Sequence, residues 1–148
     1  MPVKTLFTIG YEKTTPDELV ACLDRAGVRT LIDVRAVAAS RRAGFAKRAL
    51  AERLEKAGIA YLHLRDLGTP KPGRDAARAG DTPTMRHIFD AHMETEEAQA
   101  ALGDAIRIAK ESAVCLLCLE RDHKHCHRAI VADLMAARSG FKIEPLLP

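Results

Sequence analysis

Residues Ser112–Arg138, SAVCLLCLERDHKHCHRAIVADLMAAR, decide the fold. The run Ala113–Leu119 is apolar at both parities, as a strand covered on both faces is. It stops abruptly at Glu120, and Arg121, Asp122, His123, Lys124 and His125 follow as a short loop dense in ionisable groups. Cys126, His127 and Arg128 then open a segment in which Ile130, Val131, Leu134 and Met135 recur at helical spacing. The order is strand, charged loop, helix. In an α/β fold that unit sets reactive side chains at the carboxyl end of a strand, beside the positive end of a helix.

Outward from there, the N-terminal half has a β-α-β-α-β rhythm. Lys4–Ile9 is a short β-type run ended by Gly10. Thr15 caps a helix with Pro16 at its first position and Glu18 closing the capping box. Leu19, Leu23 and Ala26 form its buried stripe, and Gly27 ends it. Thr30–Val34 is a second strand, apolar except at Asp33. A helix over Ala46–Ala57 carries Leu50 and Leu54, Gly58 stops it, and Ile59–Leu64 is a third strand. Leu67–Asp81, with three glycines and two prolines, predicts a long loop with at most a short helical turn at Ala76–Ala79. Helix resumes at Pro83 with Thr82 as cap, a further one starts at Thr95, and a last strand lies near Lys142–Leu147. The expected fold is therefore α/β: a single three-layer domain, a mostly parallel sheet of about five strands, and helices on both faces. The Ala113–Leu119 strand should be central.

Composition agrees with one globular domain. The 148 residues are 47% apolar and 29% charged, and the net charge of +3 is too mild to imply a nucleic-acid binder on its own. No apolar run reaches the ~20 residues of a membrane span, so no membrane partner is expected. The N-terminal stretch lacks a signal-peptide pattern, and four cysteines without one suggest thiols in a reducing cytoplasm. Oligomeric state is not readable. The basic residues cluster, one group running Arg35, Arg41, Arg42, Lys47, Arg48, Arg53 and another Arg65, Lys71, Arg74, Arg78. Solvated helix faces and a mobile loop account for such clusters. A positive rim around an anion is the alternative, and it fits Arg35 and Arg41 best.

Three strand ends carry polar groups that a core would not choose: Gly10-Tyr11-Glu12, Asp33-Val34-Arg35 and Cys118-Leu119-Glu120. Parallel strands bring these ends to one edge, where open α/β sheets bind ligands. Asp33 beside Arg35 reads equally as a structural ion pair, and Tyr11 as a packed ring. Cys22 and Cys115 fall on core positions, and His63 and His92 read as structural. Cys126, at a helix start beside His127 and Arg128, has the setting that lowers a thiol pKa and makes a nucleophile; a small apolar cap is the plainer reading. A reversible Cys118–Cys126 disulfide is a further alternative. A metal site is disfavoured, because the seven-residue gap between the cysteines and the H-x-H-C-H run match no short zinc spacing. No cofactor or metal is expected.

Taken together, Thr8-Ile9-Gly10-Tyr11, Asp33-Val34-Arg35 with Ser40-Arg41, Leu67-Gly68, and Cys118-Leu119-Glu120 through Cys126-His127-Arg128 make a specific series. On these motifs the chain resembles, over essentially its whole length, the family catalogued as domain of unknown function 488. The resemblance implies a single α/β domain with the motif residues gathered at one site, and it implies no reaction. Two positions depart from the pattern: Ala38 and Ala39 stand where a proline is expected, and Ala46 replaces a cap-type serine.

The functional expectation is an enzyme acting on a phosphate-bearing small molecule or nucleotide. Arg35, Arg41 and Arg128 would hold the anion, with Tyr11, Ser40 and His127 completing the ligand contacts. The helix amides at Cys126–Arg128 would assist. Glu120 or Asp33 would be acid or base, and Cys126 or Cys118 the nucleophile. The alternative is a non-catalytic module that binds an anionic ligand or nucleic acid through the same residues.

Overall fold

A computed structural model describes residues 4–38, 40, 43–120 and 126–148. Five strands form one parallel sheet in the order β3-β2-β4-β1-β5: β1 Thr5–Gly10, β2 Thr30–Asp33, β3 Ala60–His63, β4 Val114–Cys118 and β5 Lys142–Leu146. The expected central strand is β4, paired with β2 on one side and β1 on the other. All five of its residues are buried, because helices cover both faces and each parity needs an apolar partner.

Those faces are two separate cores. On one, α1 (Pro16–Arg25) and α2 (Lys47–Lys56) pack Leu19, Leu23, Leu50 and Leu54 against Ile9, Leu31, Cys115 and Leu117. On the other, α4 (Thr82–His92), α5 (Glu96–Glu111) and α6 (His127–Ser139) set Phe89, Leu102, Val131 and Met135 against Leu6, Ile32, Val114 and Leu116. The two-residue period of a strand sends alternate β4 side chains to opposite cores. Cys22 and Cys115 are free thiols inside the first core, as their positions suggest.

Local signals held where they were complete. Thr15 Oγ1 accepts from Glu18 N at 3.1 Å, with Pro16 in the first turn of α1. The Glu18 carboxylate takes the hydroxyls of Thr14 and Thr15 rather than the cap's own amide. Helix α2, with Ala46 at its start, has no side-chain cap. At α4 the cap is Asp81, whose Oδ1 accepts from Thr84 N at 3.2 Å. Thr82, expected as cap, is instead the first helical residue.

The larger correction concerns Leu67–Asp81. This segment is not a long loop. A 3-10 turn at Arg65–Leu67 leads into α3, an eight-residue helix over Lys71–Arg78. Its prolines fall at the start, Pro70 as cap and Pro72 in the first turn, where a missing N–H costs nothing. Gly73 is buried against Thr69 and Ile88 of α4, so the glycine serves close helix packing rather than chain reversal.

Candidate functional site

At the carboxyl edge of the sheet, the ends of β1, β2 and β4 are tied into one floor. Tyr11 N donates to Cys118 O, Glu12 N to Leu119 O and Val34 N to Leu117 O, which carries the pairing past the strand ends. Above this floor opens a cleft of about 530 Å³, lined by Tyr11, Glu12, Arg35, Cys118, Glu120 and His127 and walled by Thr69, Arg74, Arg78 and Met85. Asp33 and Arg128 stand directly behind it, each bonded to a lining residue. The strand-end residues therefore do converge, as parallel strands require.

On the α1/α2 side, Asp33 and Arg35 form a buried ion pair. Asp33 is fully buried and Arg35 is 6% exposed. Arg35 Nε and Nη2 reach the carboxylate at 2.6–3.0 Å, and Arg35 N adds a backbone donor at 3.0 Å. The Tyr61 hydroxyl also donates to Asp33. Burial and the adjacent carboxylate push that phenol's pKa up. Arg35 Nη1 donates to Phe45 O at 2.8 Å and to the Tyr11 hydroxyl at 3.3 Å, while the Tyr11 ring stacks on Phe45 at 4.6 Å. His63 Nε2–H holds Arg35 O at 2.7 Å, a structural contact. This network explains the Asp-Val-Arg motif as a clamp that holds the β2 end to β1, β3 and the start of α2.

On the α6 side, Arg128 is fully buried. Its Nη1 donates to Glu120 O and lies 3.2 Å from Cys118 Sγ. Cys126 caps α6, its sulfur accepting from Arg128 N at 3.5 Å, and it is joined to Cys118 in a disulfide with Cα atoms 7.4 Å apart. In this form neither sulfur is a nucleophile; that role needs the reduced pair. His127 Nε2–H donates to Val34 O at 2.7 Å, and its ring meets Phe89 edge to face. Desolvation lowers the His127 pKa to about 4, so the ring is neutral and contributes no positive charge near neutral pH. Glu120 sits with Oε2 3.4 Å from Cys118 Sγ. Burial raises its carboxyl pKa, Arg128 pulls the other way and Glu12 adds to the rise.

Cations that face the cleft come from the helix the sequence reading missed. Arg74 Nη1 donates to Thr69 O at 2.9 Å, and Arg78, 76% exposed, pairs loosely with Asp75 at 3.5 Å. The basic stretch that holds both reads from sequence as solvated surface or as a positive rim; Pro at the start and Ala76-Ala77 facing the core are the signals that it is a helix. Val37 and Leu119, 55% and 42% exposed, put apolar surface at the same mouth. Ser40 is half-buried and is not among the described lining residues. Arg41 and the charged loop 121–125 lie outside the described residues.

The class defined by this architecture is a doubly wound parallel α/β domain with a strand-end cleft. Residues 15–135 match the family described as domain of unknown function DUF488, and the chain belongs to that family. Searches of curated proteins and of solved structures returned no match. Among the described residues, no helix is long and apolar enough to cross a membrane.

Proposed function

We propose that the chain is an enzyme acting on a phosphate-bearing small molecule, of nucleotide type, bound in the strand-end cleft. The observation that carries this reading is that Glu120, a carboxyl with a raised pKa, lines the same cleft as Arg74 and Arg78. A half-buried carboxyl that holds its proton more tightly than usual suits general acid or base work. The α3 arginines supply the anion contacts, with Arg35 held in the cleft lining by Asp33 and Arg128 fixed behind it. Val37 and Leu119 suit an apolar or aromatic moiety next to the phosphate, as a nucleobase is. Arg41 is assigned to the same rim from the sequence alone. A cytoplasmic setting belongs with this reading, because a reducing compartment keeps the Cys118–Cys126 pair as thiols.

A second reading is favoured by one feature: the two motif arginines and Asp33 are engaged within the protein, as in a non-catalytic module with a rigid floor. Screening nucleotides and sugar phosphates against wild type, Glu120→Gln and Arg74→Ala separates the two. The enzyme reading expects turnover by wild type, its loss in Glu120→Gln with binding retained, and about tenfold weaker binding in Arg74→Ala. Binding of a ligand by all folded variants with no turnover in any would establish the module.

A further inference from the structure

Three donor atoms beside the cleft are left unused by the anion reading. The sulfurs of Cys118 and Cys126 and one ring nitrogen of His127 all lie within 4.8 Å of one another, with Nδ1 3.8 Å from Cys126 Sγ. His127 Nε2–H is committed to Val34 O at 2.7 Å. That bond sets the tautomer and leaves a lone pair on Nδ1, on the sulfur side of the ring. Metal-ligating histidines are oriented in this way, by a carbonyl on the opposite nitrogen. The Phe89 ring, 5.3 Å away edge to face, fixes the plane. The cysteine Cα atoms are 7.4 Å apart, wider than the roughly 4.4–6.8 Å of ordinary disulfide partners. Two thiolates sharing one ion accommodate that separation.

We propose that, once the Cys118–Cys126 disulfide is reduced, Cys118, Cys126 and His127 bind one thiophilic divalent cation of the zinc class. An external dithiol performs the reduction: exchange breaks the protein S–S bond, leaves two thiols, and releases the dithiol as its own disulfide. Cation binding then forms two metal–sulfur bonds and one metal–nitrogen bond and expels both thiol protons. With metal–sulfur bonds of about 2.3 Å at a tetrahedral angle, the sulfurs open to about 3.8 Å. The charges suit a buried site. The cation offsets two thiolates, and Arg128, already 3.2 Å from Cys118 Sγ, adds a further positive charge beside them. Thiolate and imidazole donors select zinc or cobalt over magnesium and calcium. Three protein ligands leave a fourth position open, and two of the three ligand residues, Cys118 and His127, line the cleft. The spacing of the cysteines along the chain matched no zinc pattern; the third ligand comes from the first residue of α6, which only the fold brings to Cys118.

The test uses the full chain, reduced with excess dithiol, desalted without air and titrated with Co2+ and then Zn2+. One equivalent of Co2+ per chain is expected, with thiolate-to-cobalt absorption in the near ultraviolet and intense tetrahedral bands in the visible, both removed by one equivalent of Zn2+. X-ray absorption on the zinc form should show two sulfurs and one imidazole nitrogen, a measurement that needs no variant to fold. Cys118→Ser and Cys126→Ser should each weaken binding by at least about 100-fold, more than loss of an outer-shell partner does. The disulfide form should bind none, and Cys22→Ala should bind as wild type. Absence of stoichiometric binding by the folded, reduced wild type overturns the proposal, as does a metal shell without two sulfurs. The cation requires neither Arg74 nor a substrate, so its absence leaves the phosphate reading standing. Failure of every phosphate ligand leaves the cation result untouched in turn.

Discussion

Asp33→Ala is the substitution whose outcome the structure constrains most tightly. The carboxylate is fully buried and accepts from Arg35 Nε and Nη2, from Arg35 N and from the Tyr61 hydroxyl. Deleting it leaves a guanidinium at 6% exposure without its counter-charge and a phenol without its acceptor. Breaking one side of a buried pair costs about 3–5 kcal/mol, against a total stability of roughly 5–15 kcal/mol for a domain. With a urea slope near 2 kcal/mol/M, a loss of about 4 kcal/mol moves the unfolding midpoint down by about 2 M. Arg35→Met should cost a similar amount, because it strands the carboxylate. The double variant Asp33→Ala/Arg35→Met should cost clearly less than the sum of the singles, since neither charge is then left alone. Equilibrium urea unfolding followed by circular dichroism measures all of this. A loss under about 1 kcal/mol in Asp33→Ala, as for a surface pair, or strict additivity in the cycle, would refute the clamp.

Three further outcomes follow from single contacts. Gly68→Ala should destabilise by about 3 kcal/mol or more, because a Cβ there would sit 2.2 Å from Ala36 N and backbone must move; thermal unfolding checks it, and a change within error would contradict the close approach. Asp81 caps α4, and its hydrogen bonds to Thr84 lower its pKa in the folded state. The cap's contribution should therefore be complete above the unfolded carboxylate pKa and vanish as pH falls through the folded one. Asp81→Asn should flatten that part of the acid limb in a pH series of melting curves. Thr15→Ala should cost about 1 kcal/mol through the lost acceptor for Glu18 N, readable as a small drop in urea midpoint.

Where a property depends on local pattern, the amino-acid order was sufficient. The apolar run Ala113–Leu119 identified β4 as the central strand because only a strand packed on both faces needs apolar residues at both parities. Thr15-Pro16-Asp17-Glu18 placed the start of α1 because capping is settled within four residues. Pro70, Pro72 and Gly73 misled for the complementary reason. Their local meaning is chain reversal, and only the packing of α3 on α4 turns them into a helix start and a close contact. The gathering of Tyr11, Arg35, Cys118 and Glu120 at one edge was also legible, since parallel pairing fixes which way strand ends point. The division of labour within that edge was not. Arg35, Arg128, Arg74 and Arg78 are the same residue type, and sequence assigns none of them a depth. Tertiary structure sank the first two into a floor of ion pairs and backbone bonds and left the other two on the wall of the cleft. It also turned His127 so that its Nε2–H meets Val34 O and its Nδ1 stands beside the sulfurs. Side-chain direction depends on neighbours remote in the chain, and no spacing rule contains them.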